Sequence, residues 1–435
     1  MEPLLTLSAS KRREPIDDYR SEAPRMLPEF RLYRPKAGHP DWPRLLDEAK
    51  QLAAELRPTL APPEGVLDAL KRRGAAYATT LRNYIENRAL DGQGREDLRP
   101  LYFIWTTSRI CNFACTYCDD HQGHKYPDLP NDGALTTEQG IELLRIMRTR
   151  TPSLYFAGGE PTVRKDLPEW TAAAHRMSYY PIIINTNGSL IARNLRKPEW
   201  TSWLAQTDIV IVSLDGLDLR MLSDMWVYRK PHEVLRNLLL LRELRDEMRV
   251  KLMVNCVIQP GRVAEARAVL DLANDLGIWF CPVPVNIGPA VDRKLHADPE
   301  YADLVGTILE RKRAGYPIIG SLRMNERLLK GEPLSCRNTI KPHIDFDGSL
   351  VWPCKASMNV SPRRINVLDF DDVDALYDYA STLVSPHRFH GPAANQCGAN
   401  CNWAQNYSTD AYVHGLRHPL AMLGEVRDFL SRGRG

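Results

Sequence analysis

Apolar residues first recur at helical spacing between Asp41 and Leu56, where Leu45, Leu46, Ala49, Leu52 and Ala53 fall on one face. A second helical pattern runs from Pro63 to Ala89 and is broken by Gly92, Gln93 and Gly94. From Leu101 the texture changes, and short β-branched or aromatic runs alternate with helical stretches. Strands are predicted near Tyr102 to Thr106, Leu154 to Phe156, Ile182 to Asn185, Ile209 to Leu214, Lys251 to Val257 and Ile278 to Val283. Between them, Thr136 and Gln139 form a capping box ahead of Ile141, Leu144 and Met147, and Asp166 with Glu169 forms an Asp-led equivalent. Val263, Ala266, Val269, Leu270 and Ala273 make a stripe ended by Gly277. About six such alternations argue for an α/β class of parallel βαβ units, whose ligand sites lie at the carboxyl ends of the strands.

Beyond Tyr316 the alternation stops. A short helix at Leu322 to Lys330 precedes two alternating runs from His343 to Trp352 around Asp347-Gly348, a hairpin signal. After Val360 the only readable helix is Asp371 to Leu383. The chain therefore divides into a helical N-terminal segment (1–97), an alternating α/β region (98–315) and a small cysteine-rich C-terminal extension containing a β-hairpin (316–435).

Composition narrows the class. The 435 residues are 43% hydrophobic and 26% charged with a formal net charge of +3, so the chain can bury enough surface to fold and carries no electrostatic footprint for nucleic acid. No apolar run approaches the length of a membrane span, and a cytoplasmic location is expected. Nine cysteines are too sparse for a disulfide scaffold, and an odd count suits thiols kept for ligation or reactivity.

Cys111, Cys115 and Cys118 follow the first strand of the alternating region on one loop. Three thiolates so placed can serve one metal centre: zinc, which wants four ligands, or an iron–sulfur cubane, whose fourth iron then stays open. At the end of the second strand stands Gly158-Gly159-Glu160-Pro161, where two glycines let a ligand approach the backbone and a carboxylate can accept from an ammonium group.

Together these residues resemble the radical S-adenosylmethionine (SAM) superfamily, whose Cys-x3-Cys-x-aromatic-Cys hallmark is matched by Cys111, Cys115, Tyr117 and Cys118. The resemblance covers roughly 98–315 and implies a partial (β/α)6 TIM-like barrel. It further implies a [4Fe-4S] cluster on the three cysteines, with an open iron that chelates SAM. One electron, from a donor such as flavodoxin or ferredoxin, then cleaves SAM to methionine and a 5′-deoxyadenosyl radical that abstracts hydrogen from a substrate. By the same resemblance Gly158, Gly159 and Glu160 bind the methionine end of SAM, Tyr117 lies near the adenine, and Ser213, Asp215 and Asn255 stand at the strand ends that contact the rest of it. Cys281, on the sixth strand, is a candidate hydrogen donor, whereas Cys256 reads as a small buried hydrophobe.

The tail adds Cys336, Cys354, Cys397 and Cys401, four thiolates that spacing alone would allow to hold either zinc or a second cubane. Asp347 to Cys354 resembles the hairpin of SPASM or twitch extensions, which implies an auxiliary [4Fe-4S] cluster. The tail departs from a full SPASM extension in having four cysteines rather than seven, and in a glycine five residues rather than four from the next cysteine. The first 97 residues show helices but no clear hairpin of a leader-binding module. The expected substrate is accordingly a small molecule, a sugar or a lipid-type precursor, with a peptide as the alternative. The rival of another class is a non-catalytic zinc-binding scaffold.

Overall fold

The computed structural model describes residues 38–118, 130–287, 290–332, 334, 337–355, 364–383 and 403–422. Helix α1 (Trp42–Leu56) starts at Asp41, whose carboxylate accepts from the Arg44 N–H at 3.3 Å, and it buries Leu45, Leu46, Ala49, Ala53 and Leu56. Helix α2 (Val66–Gly92) follows and is described below.

Six strands then run parallel in chain order: β1 (Tyr102–Thr106), β2 (Ser153–Ala157), β3 (Ile182–Thr186), β4 (Ile209–Ser213), β5 (Lys251–Ile258) and β6 (Trp279–Pro284). The crossovers carry helices α3 (Thr137–Arg148), α4 (Leu167–Arg176), α5 (Ile191–Leu195), α6 (Leu219–Trp226), α7 (Pro231–Met248) and α8 (Val263–Asp275). Consecutive parallel strands joined by helices are the βαβ units expected from the alternation, and the sheet, which does not close, is the partial barrel that the resemblance implies. Thr136 and Gln139 form the expected capping box of α3. Asp166 does not cap α4; its carboxylate is taken by Arg164 and by the Thr137 hydroxyl.

Strand pleating sorts the side chains. Leu252, Val254, Cys256 and Ile258 of β5 are buried in the main core. Met253 joins Ile183, Ile209, Ile211 and Trp279 in a separate cluster, against which Tyr155 and Cys281 pack. That second cluster fills the barrel interior near its middle. Toward the carboxyl ends the interior face is less tightly packed, and Ala157, Asn185, Ser213, Asn255 and Cys281 are half-buried there.

Helix α2 lies across the amino ends of the strands and is held there by polar groups. Arg72 donates to both oxygens of Asp208 just before β4, at 3.0 and 2.8 Å, and to the Tyr179 carbonyl at 2.8 Å. Asn83 donates to the carbonyls of Pro100 and Arg150, each at 2.7 Å, just ahead of β1 and β2. Helix α2 is thus joined to the barrel at the amino ends of its strands, whereas α1 packs along α7 on the outside.

The residues after β6 also return to the barrel. A two-residue ladder, β7 (Asn286–Ile287) with β8 (Ala290–Val291), leads to α9 (Pro299–Arg313) and α10 (Leu322–Leu329). The predicted hairpin forms as β9 (His343–Ile344) and β10 (Leu350–Val351), turning through Gly348 at φ +81°. It is not a separate sheet: β9 pairs in parallel with β1, Ile104 with His343 and Trp105 with Ile344, giving eight strands in the order β10-β9-β1-β2-β3-β4-β5-β6. Helix α11 (Val373–Leu383) matches expectation, whereas α12 (Tyr407–Arg417) was not foreseen. Among the described residues no helix is long and apolar enough to cross a membrane.

Candidate active site

The loop after β1 carries Cys111, Cys115 and Cys118, and its backbone is tied to the end of α6. The Ala114 N–H donates to the Trp226 carbonyl at 3.1 Å and the Thr116 N–H to the Met225 carbonyl at 2.9 Å. Phe113 anchors the same stretch, buried and stacked on Trp226 and Tyr228 with ring centroids 5.4 and 4.2 Å away. Burying such a ring contributes about 2 kcal/mol, with about 1 kcal/mol more from the aromatic pairing.

On its other side the loop is clamped by the turn after β2. The Gly159 N–H donates to the Ser108 carbonyl at 2.7 Å, and the Glu160 N–H to the Ile110 carbonyl at 2.9 Å. A Cβ at Gly158, which has φ +129°, would stand 2.7 Å from the Ser108 oxygen, and one at Gly159 would stand 2.3 Å from the Ile110 oxygen. Both glycines are therefore required by backbone packing on the cysteine loop, a reason different from the ligand approach expected from the sequence.

Glu160 is buried, and its carboxylate is occupied from within the protein. It accepts from the Thr162 N–H at 3.0 Å, the Thr186 hydroxyl at 2.6 Å, the Asn187 N–H at 2.6 Å and the Thr162 hydroxyl. Burial pushes this carboxyl above the usual range, against the pull of those donors. The group holds the turn after β3 against the turn after β2. That turn in its turn reaches the cysteine loop, because Asn187 donates to the Asn112 side chain at 2.9 Å and Asn112 to the Ser189 hydroxyl at 2.8 Å.

Asp215, just past β4, is also buried and fully engaged. Tyr117 donates its hydroxyl to it in a short bond, the Trp226 indole donates at 2.9 Å, and the Val257 N–H donates at 2.8 Å. Burial raises its carboxyl, while these donors and nearby Arg262 oppose the rise. The cysteine loop is thereby bound to β4 and β5 through the phenol of Tyr117.

Ser213, Asn255 and Cys281 are brought together. Ser213 is in register with Asn255, and Asn255 with Cys281, so the three form one lateral row across β4, β5 and β6. Register partners in adjacent strands are about 4.8 Å apart, so the row is continuous. Cys256 lies on the opposite face, fully buried in the main core. Cys354 is buried just past β10, while Cys336, Cys397 and Cys401 lie outside the described residues.

Sequence reasoning missed Asn185 and Asn187. Asn185 shares the interior face of β3, and its side-chain oxygen is buried without a hydrogen-bond partner among the described residues. The signal was present as Asn185-Thr186-Asn187-Gly188, a polar run closing a strand.

The thiols suit a cationic centre. Burial is the main force raising Cys111, to about 12, and Cys115 as well; the neighbouring charges that raise them further are Glu160, Asp215 and other members of the trio. Without a metal these groups are protonated, and metal binding would release their protons. Among the described residues no three His, Cys, Asp or Glu side chains converge to cage a single ion. A cubane binds each thiolate at a different iron corner, so its donors stand apart, and the trio fits that group by donor chemistry.

The family model of the Radical SAM superfamily matches residues 105–273. Fe-coproporphyrin III synthase of Methanosarcina barkeri is 36% identical over 126 residues, 29% of this chain and 29% of that protein. GTP 3',8-cyclase of Klebsiella pneumoniae is 30% identical over 140 residues, 32% of this chain and 41% of that protein. The matches thus span less than half the length of these curated relatives. In fold, the chain is similar to Streptococcus suis SuiB bound to S-adenosylmethionine, with a TM-score of 0.54 and 18% identity over 72% of this chain and 73% of that one. Residues 105–273 thus match the radical SAM superfamily, whose members are enzymes that use a [4Fe-4S] cluster and SAM.

Proposed function

We propose that this protein is a radical SAM enzyme that reductively cleaves SAM and uses the resulting radical to abstract hydrogen from a small-molecule, sugar or lipid-type substrate bound at the carboxyl ends of its strands. The observation that carries the reading is the cysteine loop, clamped from both sides beside the row Ser213, Asn255 and Cys281. Cys111, Cys115 and Cys118 would hold a [4Fe-4S] cluster; together with SAM it supplies a one-electron cleavage to methionine and a 5′-deoxyadenosyl radical.

The chain's own residues position and enclose. Gly158 and Gly159 bring the β2 turn onto the cysteine loop, so the backbone of Gly158, Gly159 and Glu160 borders the methionine end of SAM while the Glu160 carboxylate braces the β3 turn. Asp215 fixes the phenol of Tyr117, which sets the ring for the adenine. Ser213 and Asn255 offer hydrogen bonds at the open end of the interior, and the apolar cluster below them excludes water from that side. Cys281, at the end of the row, is positioned to return a hydrogen atom to a substrate radical. The tail cysteines would hold an auxiliary [4Fe-4S] cluster, with Cys354 brought near the barrel by the hairpin on β1.

The test is SAM cleavage by anaerobically reconstituted protein with a low-potential reductant. Release of 5′-deoxyadenosine and methionine, abolished when Cys111, Cys115 and Cys118 are changed to Ala, supports the reading. Protein that holds its full iron and sulfide yet releases neither product contradicts it.

A further inference from the structure

Helix α2 turns its apolar side to solvent. Leu67, Leu70, Leu81 and Ile85 are 72%, 62%, 59% and 61% exposed, and Tyr77 is 42% exposed. Its inner face is instead made of Ala69, Arg72, Ala76, Asn83 and Asn87, the small and polar residues that grip the barrel. At 100° per residue the exposed side chains form one stripe along a helix of 27 residues.

Two features of the stripe point to what covers it. The first is its order: Leu67, Leu70, Gly74, Tyr77, Ala78, Leu81, Ile85. The sequence large, large, small, large, small, large, large reads nearly the same from either end about Ala76. A two-fold axis at that midpoint would set Leu67 against Ile85 of the partner subunit and Gly74 against Ala78 of the partner subunit, which is the self-complementarity an isologous contact needs.

The second feature is Gly74. Glycine inside a helix weakens it relative to alanine, and nothing among the described residues of this subunit asks for one. A Cβ at Gly74 would meet no atom within 4 Å. This contrasts with Gly158 and Gly159, where a Cβ would strike backbone. A mid-helix glycine without an internal reason, at the centre of an apolar stripe, permits another backbone to come close.

The area is adequate. At roughly 100 Å² for each of the five exposed large side chains, the stripe offers about 500 Å² on one subunit, within the upper range of the apolar patches that monomers leave open. A symmetric pair would bury about 1,000 Å², the area that a specific interface should reach.

We propose that this face is a two-fold interface between two copies of the chain, with α2 packed antiparallel on α2 of the second copy. The contact lies at the closed end of each barrel, so both open ends stay accessible in the pair.

The experiment is sedimentation of the full-length, reconstituted protein over a range of concentrations. The expected result is twice the chain mass for the wild type, and single-chain mass for the Leu70→Glu/Leu81→Glu variant with unchanged circular dichroism and iron content. Gly74→Leu, which the subunit itself can accommodate, is expected to weaken association at least tenfold. Tyr77→Cys, near the axis, should cross-link to itself under oxidation, and Leu67→Cys should not. A monomeric wild type overturns the proposal, whether or not it binds lipid vesicles or dimerises only after residues 1–37 are removed, since either result assigns the stripe to another occupant. A dimer unaffected by both the paired Glu substitutions and Gly74→Leu overturns it as well.

Discussion

Asn255 on β5 stands in register with Cys281 on β6, and both are half-buried at the open end of the barrel interior. Cys256, the next residue along β5, is sealed in the core on the other face. The pleat therefore separates two thiols that composition alone would treat alike. Burial raises both thiols, so each is protonated at neutral pH, the form that can give up a hydrogen atom, but only Cys281 faces the interior.

For Cys281→Ala the expectation is continued SAM cleavage with at least a tenfold loss of substrate-derived product. Cys256→Ala should lose about 1 kcal/mol of stability and keep the chemistry. Product analysis beside SAM turnover checks the pair, and unchanged product from Cys281→Ala removes this thiol from the mechanism.

Gly159→Ala places a methyl group 2.3 Å from the Ile110 carbonyl oxygen. The neighbour is backbone and cannot swing away, so the cysteine loop must shift. The expected cost is about 2 kcal/mol or more, with poor iron retention. Denaturant titration and iron analysis check it; a variant that keeps both stability and iron would show that the clamp is dispensable.

Tyr117→Phe removes the hydroxyl that Asp215 accepts but leaves the ring. Stability should fall by about 1 to 2 kcal/mol, because a buried carboxylate loses a donor. SAM affinity should fall only modestly, and Tyr117→Ala should weaken it much further. Equal affinities in the two variants would deny the ring a role at the adenine.

Glu265 carries a pH dependence. Burial raises its carboxyl, but His39 at 3.8 Å and the N–H groups of Leu217 and Asp218, at 2.7 and 3.0 Å, outweigh that and hold it at about 2. A folded pKa below the unfolded one stabilises above the unfolded value, and that contribution is lost as pH falls from about 5 toward 2. It is worth about 3 kcal/mol before solvent screening. Glu265→Gln should therefore be less stable than wild type at pH 7 and converge with it near pH 2, as denaturant titrations of the metal-free protein would show. Curves separated by the same amount throughout would contradict the assignment.

Much of the fold was legible because it is local. Asp41 followed by Leu45 and Ala49, the Thr136–Gln139 box and the Asp347-Gly348 turn each state their element within a few residues. The six strands announced themselves by β-branched runs bounded by polar turns. What stayed hidden depends on distant partners. The register of Ile104 with His343 makes the hairpin part of the barrel sheet, and no local pattern encodes a pairing across so much chain. Helix α12 buries Thr409 and Asp410 along with Tyr407 and Val413, which blurs its periodicity. Helix α2 shows its apolar residues outward, so reading its stripe as the inner face would invert it.

The same division holds at the site. The three cysteines and the Gly158-Gly159-Glu160 run were visible as motifs. The reason for the glycines was not, because it depends on the carbonyls of Ser108 and Ile110. Nor was the bond between Tyr117 and Asp215, or the row that joins Ser213, Asn255 and Cys281.

The most direct test is to count iron, sulfide and zinc per chain after anaerobic reconstitution, in the wild type and in the Cys111→Ala/Cys115→Ala/Cys118→Ala variant. The account predicts about eight irons falling to about four, as two cubanes require. Zinc without iron or sulfide, under conditions in which a known cluster protein reconstitutes, would contradict it.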